Sequence, residues 1–185
     1  MEIVQHKPTL AEIQAAYGRT VADIIAPNLN VLFCGINPSL YSAAVGHHFA
    51  RPGNRFWRSL HAAGYTERVL SPFEDRDLLK FGYGLTNIVD RATARADELK
   101  AEELILGQQQ LAVKIEQYQP QFLAILGISA YRTAFKRPKA TMGRQDELLS
   151  AVTIWVLPNP SGLNAHYQLA DLTRVYRELL LAVRN

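Results

Sequence analysis

Two asparagines, each set just before a proline at the end of an apolar run, are the residues best placed for chemistry. Residues 31–38 read VLFCGINP and residues 158–164 read PNPSGLN, so Asn37 precedes Pro38 and Asn159 precedes Pro160. Proline removes a backbone donor and restricts its predecessor, and Gly35 is read here as supplying a conformation closed to other residues. The chain must therefore leave the first run in a tight turn. A side-chain amide is then held at the carboxyl end of a central strand, where open α/β sheets place their ligands. Other chemistries lack the residues they need. No lysine lies in either turn, which leaves a Schiff-base step unsupported. His47 and His48 are adjacent rather than at helical spacing, a poor basis for a metal site, and no GxGxxG follows a strand. The single cysteine, Cys34, rules out a disulfide framework and a thiolate cluster. No cofactor is expected.

The elements around these turns can be read from periodicity and end signals. Thr9, with Glu12 three residues on, caps a short helix over 9–16, and a second short helix is expected over 20–26. Residues 31–34 suit a strand buried on both faces. Residues 40–54 lack steady periodicity and contain Gly46, Pro52 and Gly53, which predicts a long loop over the end of that strand. Asn54 caps a helix over 55–63, and Ser71, Pro72, Lys80 and Gly82 mark the ends of a helix over 71–81. Strands are expected over 83–89, 122–126 and 153–157, with helices over 100–118, 129–135 and 167–183. Residues 136–150 read as a basic, polar connection.

About four strands alternating with helices predict an α/β three-layer sandwich around a central, mostly parallel sheet. In this architecture both Asn-Pro turns can meet over one crevice. The 185 residues, 48% hydrophobic and 20% charged, suit a single α/β domain over 21–185 behind an N-terminal extension over 1–20. A formal charge of +3 and a pI near 9.1 permit a polyanionic partner without demanding one. Glu2, His6 and Lys7 stand where a signal peptide would have its cationic and apolar regions, and no apolar run is long enough to span a membrane. The expectation is a cytoplasmic protein with no membrane partner.

Three stretches in order, GINPS at 35–39, GHHFARPGNRFW at 46–57 and NPSGLN at 159–164, resemble the motifs of the mismatch-specific uracil-DNA and thymine-DNA glycosylases of the uracil-DNA glycosylase superfamily. The resemblance runs from about residue 21 to 177. It implies hydrolysis of the N-glycosidic bond of uracil in mismatched double-stranded DNA. The partner implied is a duplex carrying a G:U mismatch or an abasic site, bound by a monomer. A base inside a duplex is out of reach, so the nucleotide must be extruded at a cost of a few kcal/mol.

By the same resemblance, Phe49 stacks on the extruded base, the backbone amides of Ile36 and Phe49 meet its carbonyls, and Asn37 positions the water. Ser42 comes near C5 of the base, where it would act against the methyl of thymine. Leu163 is the wedge that fills the vacated stack. Gly162 and Asn164 offer main-chain groups to the orphaned guanine, while Asn159 and Ser161 line the site and face a phosphate. From position alone, Asn87 can add an edge contact and His48 can bond the base or sugar. An amide is a poor base, and the Asp90 carboxylate after the second strand could supply one. Each of these residues also has a plainer reading: a loop anchor for Phe49, turn shaping for Asn87, Asn159 and Ser161, an Arg91 partner or turn cap for Asp90, and loop packing for Ser42 and His48. Ser39 and Asn164 depart from the residues usual in the family, and Ser39 could narrow the pocket entrance. Arg51, Arg55, Arg58, Arg137, Lys139 and Arg144 are candidate phosphate contacts. Two rival functions remain open, a hydrolase of free nucleosides and a module that binds lesions or abasic sites without cutting.

Overall fold

The computed structural model describes residues 7–185, and the first six residues of the expected N-terminal extension lie outside the described residues. Strand β1 (Val31–Gly35) is buried throughout and runs parallel between β2 (Tyr83–Asn87) and β3 (Phe122–Leu126). Its side chains divide between two cores. Val31 and Phe33 pack with Phe56, Leu60 and Tyr176, whereas Leu32 and Cys34 pack with Leu111, Ile115 and Ile125. Burial on both faces is the physical reason this run is apolar without alternation. Phe33 anchors the first core, with the rings of Phe56 and Tyr65 edge-on at 5.5 and 5.4 Å between centroids.

The sheet has five strands in the order β2-β1-β3-β5-β4, with β4 at Gly143–Leu149 and β5 at Val152–Leu157. The fifth strand corrects the expected count of about four. β4 occupies the stretch read as a connection and pairs antiparallel with β5, while the other pairings are parallel. Its alternating exposure and its charged residues Arg144, Asp146 and Glu147 suit a solvated edge.

Helix α1 (Leu10–Ala15) carries the expected capping box of Thr9 and Glu12. No helix forms over 20–26; instead the Ile24 amide and carbonyl exchange bonds of 2.9 and 2.8 Å with Leu85, covering the outer edge of β2. Tertiary pairing outweighs a weak helical pattern there. The stretch 40–54 is also not loop throughout. Ser39 caps α2 (Leu40–Val45) by accepting from the Ser42 amide, and Gly46 closes it in the left-handed conformation. Ser39 is thus a cap. Helix α3 (Phe56–Ala63) begins where Asn54 Oδ1 accepts from the Phe56 amide at 2.9 Å. The segment Pro72–Phe81 has its expected ends but is a 3₁₀ helix, kinked at Glu74. Helices α4 (Ala101–Tyr118) and α5 (Ile128–Ala134) cover the Cys34 face of the sheet; α3 and α6 (Leu169–Arg184) cover the Phe33 face.

Candidate active site at the strand ends

The parallel register brings the carboxyl ends of β2, β1, β3 and β5 to one edge. Gly35 lies opposite Asn87, Cys34 opposite Ile125, and Leu126 opposite Leu157. The chain after β2 then closes on the turn after β1, because the Ile88 and Val89 amides donate to the Gly35 and Ile36 carbonyls, each at 2.9 Å.

Gly35 is required by proximity. Its backbone lies outside the left-handed region, which corrects the conformational reading of this glycine. A Cβ there would sit 2.6 Å from Asn87 Oδ1 and 3.4 Å from Phe49 Cζ. The missing side chain is the space in which the Asn87 amide and the Phe49 ring meet. Asn87 is buried, and Phe49, at a φ of 52°, stacks on Phe56 with centroids 4.1 Å apart. Ile36 reaches across to Gly127, where an added Cβ would lie 3.1 Å from Ile36 Cδ1 and 4.0 Å from Asn159 Cβ. Residues from both Asn-Pro turns therefore border one crevice. Among the described residues the Ile36 and Phe49 amides donate to no other group.

Asn37 has a fixed orientation. Its Nδ2 donates to the Arg91 carbonyl at 2.9 Å and to Thr93 Oγ1 at 2.8 Å. Thr93 Oγ1 in turn donates its one proton to the Arg95 carbonyl at 2.7 Å, so toward Asn37 it can only accept. A flipped amide would set Oδ1 against two acceptors. The network therefore leaves Oδ1 as the free end of Asn37, an acceptor suited to a water proton. The loop that holds it is braced from outside by Arg91, which forms a bidentate pair with Glu103 at 2.5 and 2.9 Å and lies over the Tyr17 ring. That pair holds the Glu103 carboxyl down at about 2.

Asp90 is not paired with Arg91. Its side chain is 51% exposed and lies 3.7 Å from Lys114 Nζ. Lys114 bonds Asp23 at 2.7 Å and Thr86 Oγ1 at 3.3 Å. Burial alone would lower the Lys114 ammonium, yet Asp23 and Asp90 carry it above the ordinary lysine range. Burial pushes the neighbouring Cys34 thiol up, which keeps it protonated and unreactive. Among the described residues no three His, Cys, Asp or Glu side chains cluster as metal ligands.

Ser42, on α2, and His48, in the turn that follows it, are both committed to bonds within the protein. Ser42 is 3% exposed, and its hydroxyl accepts from the Ala50 amide and from Ser39 Oγ, each at 3.1 Å. It thereby fixes the residue next to Phe49. His48 Nε2 lies 2.9 Å from the Ala22 carbonyl, and burial lowers its pKa, so the ring is neutral and donates there. Its backbone amide bonds Asp75, and its carbonyl accepts from Trp57 Nε1.

The second turn is held from beneath. Asn159 Oδ1 accepts from the Ser161 amide at 3.0 Å, Ser161 Oγ accepts from the Leu163 amide at 3.3 Å, and Asn164 Nδ2 donates to the Asn159 carbonyl at 3.0 Å. Leu163 at its tip is 68% exposed. Gly162 abuts the loop after α2, where a Cβ would come 2.8 Å from the Gly53 carbonyl. Arg55, expected among the phosphate contacts, is instead buried, and its guanidinium donates to the Ser161, Asn164 and Tyr167 carbonyls. Arg137 pairs with Glu147 at 2.5 Å, whereas Arg51 and Arg58 are exposed. The Arg55 role leaves no local signal, because its partners lie more than a hundred positions away.

A solution NMR structure of a candidate uracil DNA glycosylase from Methanosarcina acetivorans is similar over 88% of this chain and 98% of that one, with a TM-score of 0.58 and 20% identity. At that identity the likeness speaks for the α/β fold alone. A model of the uracil DNA glycosylase superfamily matches residues 22–180, and the chain belongs to that superfamily.

Proposed function

We propose that this protein removes uracil opposite guanine from duplex DNA, extruding the nucleotide and hydrolysing its glycosidic bond. Membership of the superfamily supports glycosylase activity on uracil in DNA. The observation that carries the finer reading is the meeting of Phe49 and Asn87 at Gly35, two residues before the fixed amide of Asn37, with the exposed Leu163 on the neighbouring turn. A planar base stacked on Phe49 beside the end of β1 would meet the uncommitted Ile36 and Phe49 amides at its carbonyls. Those donors would also stabilise the departing uracil anion. Asn37 Oδ1 would orient the attacking water. Leu163 favours a duplex over a free nucleoside, because a nucleoside hydrolase needs no apolar wedge.

Single-turnover excision tests this reading, with uracil, thymine or ethenocytosine opposite guanine and with Asn37→Ala and Asp90→Asn alongside. Excision of uracil well above thymine, lost in Asn37→Ala, is the expected result. Absence of abasic product from the G·U duplex at high enzyme excess would leave a lesion-binding module as the function. Near wild-type excision by Asp90→Asn would remove Asp90 from the chemistry.

A further inference from the structure

Arg55 is 9% exposed, and among the described residues no carboxylate pairs with it. Burying a cation this way is costly unless fixed dipoles replace its water. Here they come from one stretch of chain. Nη2 donates to the Ser161 carbonyl at 2.5 Å and the Asn164 carbonyl at 2.9 Å, Nη1 donates to the Tyr167 carbonyl, and Nε reaches the Pro160 carbonyl at 3.5 Å. The Arg55 amide also donates to the Pro160 carbonyl, at 3.0 Å. Arginine alone among side chains carries enough donors in a planar fork for this arrangement.

The consequence is a turn pinned on either side of Leu163. With the Pro160, Ser161, Asn164 and Tyr167 carbonyls drawn inward, the Gly162 and Ala165 amides donate to nothing among the described residues. Arg55 thus grips the turn from both sides of its tip, and free amides flank the exposed Leu163. The same helix start also fixes the stacking side of the crevice, because Phe56 follows Arg55 and stacks on Phe49.

Resting on the proposed duplex activity, we infer that Arg55 is the positioning residue for the wedge turn, holding Leu163 and the free amides ready for a base pair's vacated place in DNA. It touches no reacting atom. Its loss should impair extrusion from a duplex and spare excision of a base that is already unpaired.

The test compares single-turnover uracil excision by wild type, Arg55→Lys, Leu163→Ala and the double variant, on a G·U duplex and on the same uracil strand unpaired. Lysine keeps the charge and lacks the fork. Arg55→Lys should slow the duplex reaction about 10- to 100-fold, the range for a misplaced positioning group, and change the single-strand reaction little. It should add little in the Leu163→Ala background. Gly162→Ala, which lifts the turn off Gly53 without touching Arg55, should give the same pattern and serves if Arg55→Lys does not fold. Equal loss on both substrates, full additivity with Leu163→Ala, or wild-type duplex activity in Arg55→Lys would each overturn the inference. Leu163→Ala at full duplex activity would overturn the wedge reading itself, whereas Leu163→Ala impaired beside an unimpaired Arg55→Lys would overturn the Arg55 role alone.

Discussion

Gly35→Ala probes how the strand ends build the crevice. Alanine is conformationally acceptable there, because the Gly35 backbone lies outside the left-handed region, so the effect should be steric. The new Cβ would lie 2.6 Å from Asn87 Oδ1, whereas ordinary contact begins at 3.4 Å, the distance to Phe49 Cζ. The ring can stay and the amide must retreat by several tenths of an ångström. Asn87 has little room to do so, being 5% exposed on a strand whose next amide is bonded to the Gly35 carbonyl at 2.9 Å. Overpacking of this kind costs about 1 to 3 kcal/mol. For a chain of this size each kcal/mol lowers Tm by about 2–4 °C. If Asn87 reads the base, displacing it should slow single-turnover uracil excision roughly 10- to 100-fold. The Asn87→Ala background separates the two effects. With the oxygen gone, Gly35→Ala should cost measurably less stability, giving a coupling above about 0.5 kcal/mol. Additive stability losses together with wild-type excision in Gly35→Ala would refute the assignment of Asn87 to the crevice.

Three further outcomes follow from the geometry. If Phe49 stacks on the extruded base, Phe49→Ala should weaken its binding by about 1–3 kcal/mol, read as a raised Kd for uracil-containing duplex. Thr93→Val deletes one acceptor of the Asn37 amide, and should slow the chemical step several-fold at unchanged DNA affinity, corresponding to about 1 kcal/mol. His48 has a lowered pKa in the fold because of its burial, so below the ordinary value of 6.5 the unfolded chain binds a proton that the folded chain does not. Stability should therefore fall as pH drops through about 6.5 and level off beneath the folded value. Urea midpoints should show that fall, and His48→Gln should flatten it.

Much of this architecture is written locally. The β1 run, the Asn-Pro turns, the capping box of α1 and the long helix α4 carry their signals within a few residues, and the structure places them as those signals direct. The strand β4 was hidden because GRQDELL is charged and becomes a strand only by pairing with β5. Residues 20–26 misled for the converse reason, since Ile24 takes its partner from Leu85. Helix α2 left a readable signal in the Ser39 cap and the Gly46 stop, and its six residues are too short for periodicity to show. The site followed the same division. Asn37 and Phe49 stand out by motif, whereas the contact between Gly35 and Asn87 depends on strand register and the grip of Arg55 on packing.

The fixed Asn37 amide also bears on how the reaction can depend on pH. Both Nδ2 hydrogens are committed, and in the proposed reaction the remaining Oδ1 would orient a water without taking its proton. His48 is turned to the Ala22 carbonyl, and Asp90 lies beside Lys114. If no carboxylate or imidazole takes the proton, the barrier must fall chiefly where charge develops, on the leaving uracil. One well-placed donor of that kind contributes about 10²- to 10³-fold, and Ile36 and Phe49 offer two. Such a site should give a single-turnover rate that is flat with pH from about 5.5 to 8, across which a general base would titrate. An ascending limb that disappears in Asp90→Asn would assign the proton to Asp90 and refute catalysis by amide and leaving-group stabilisation alone.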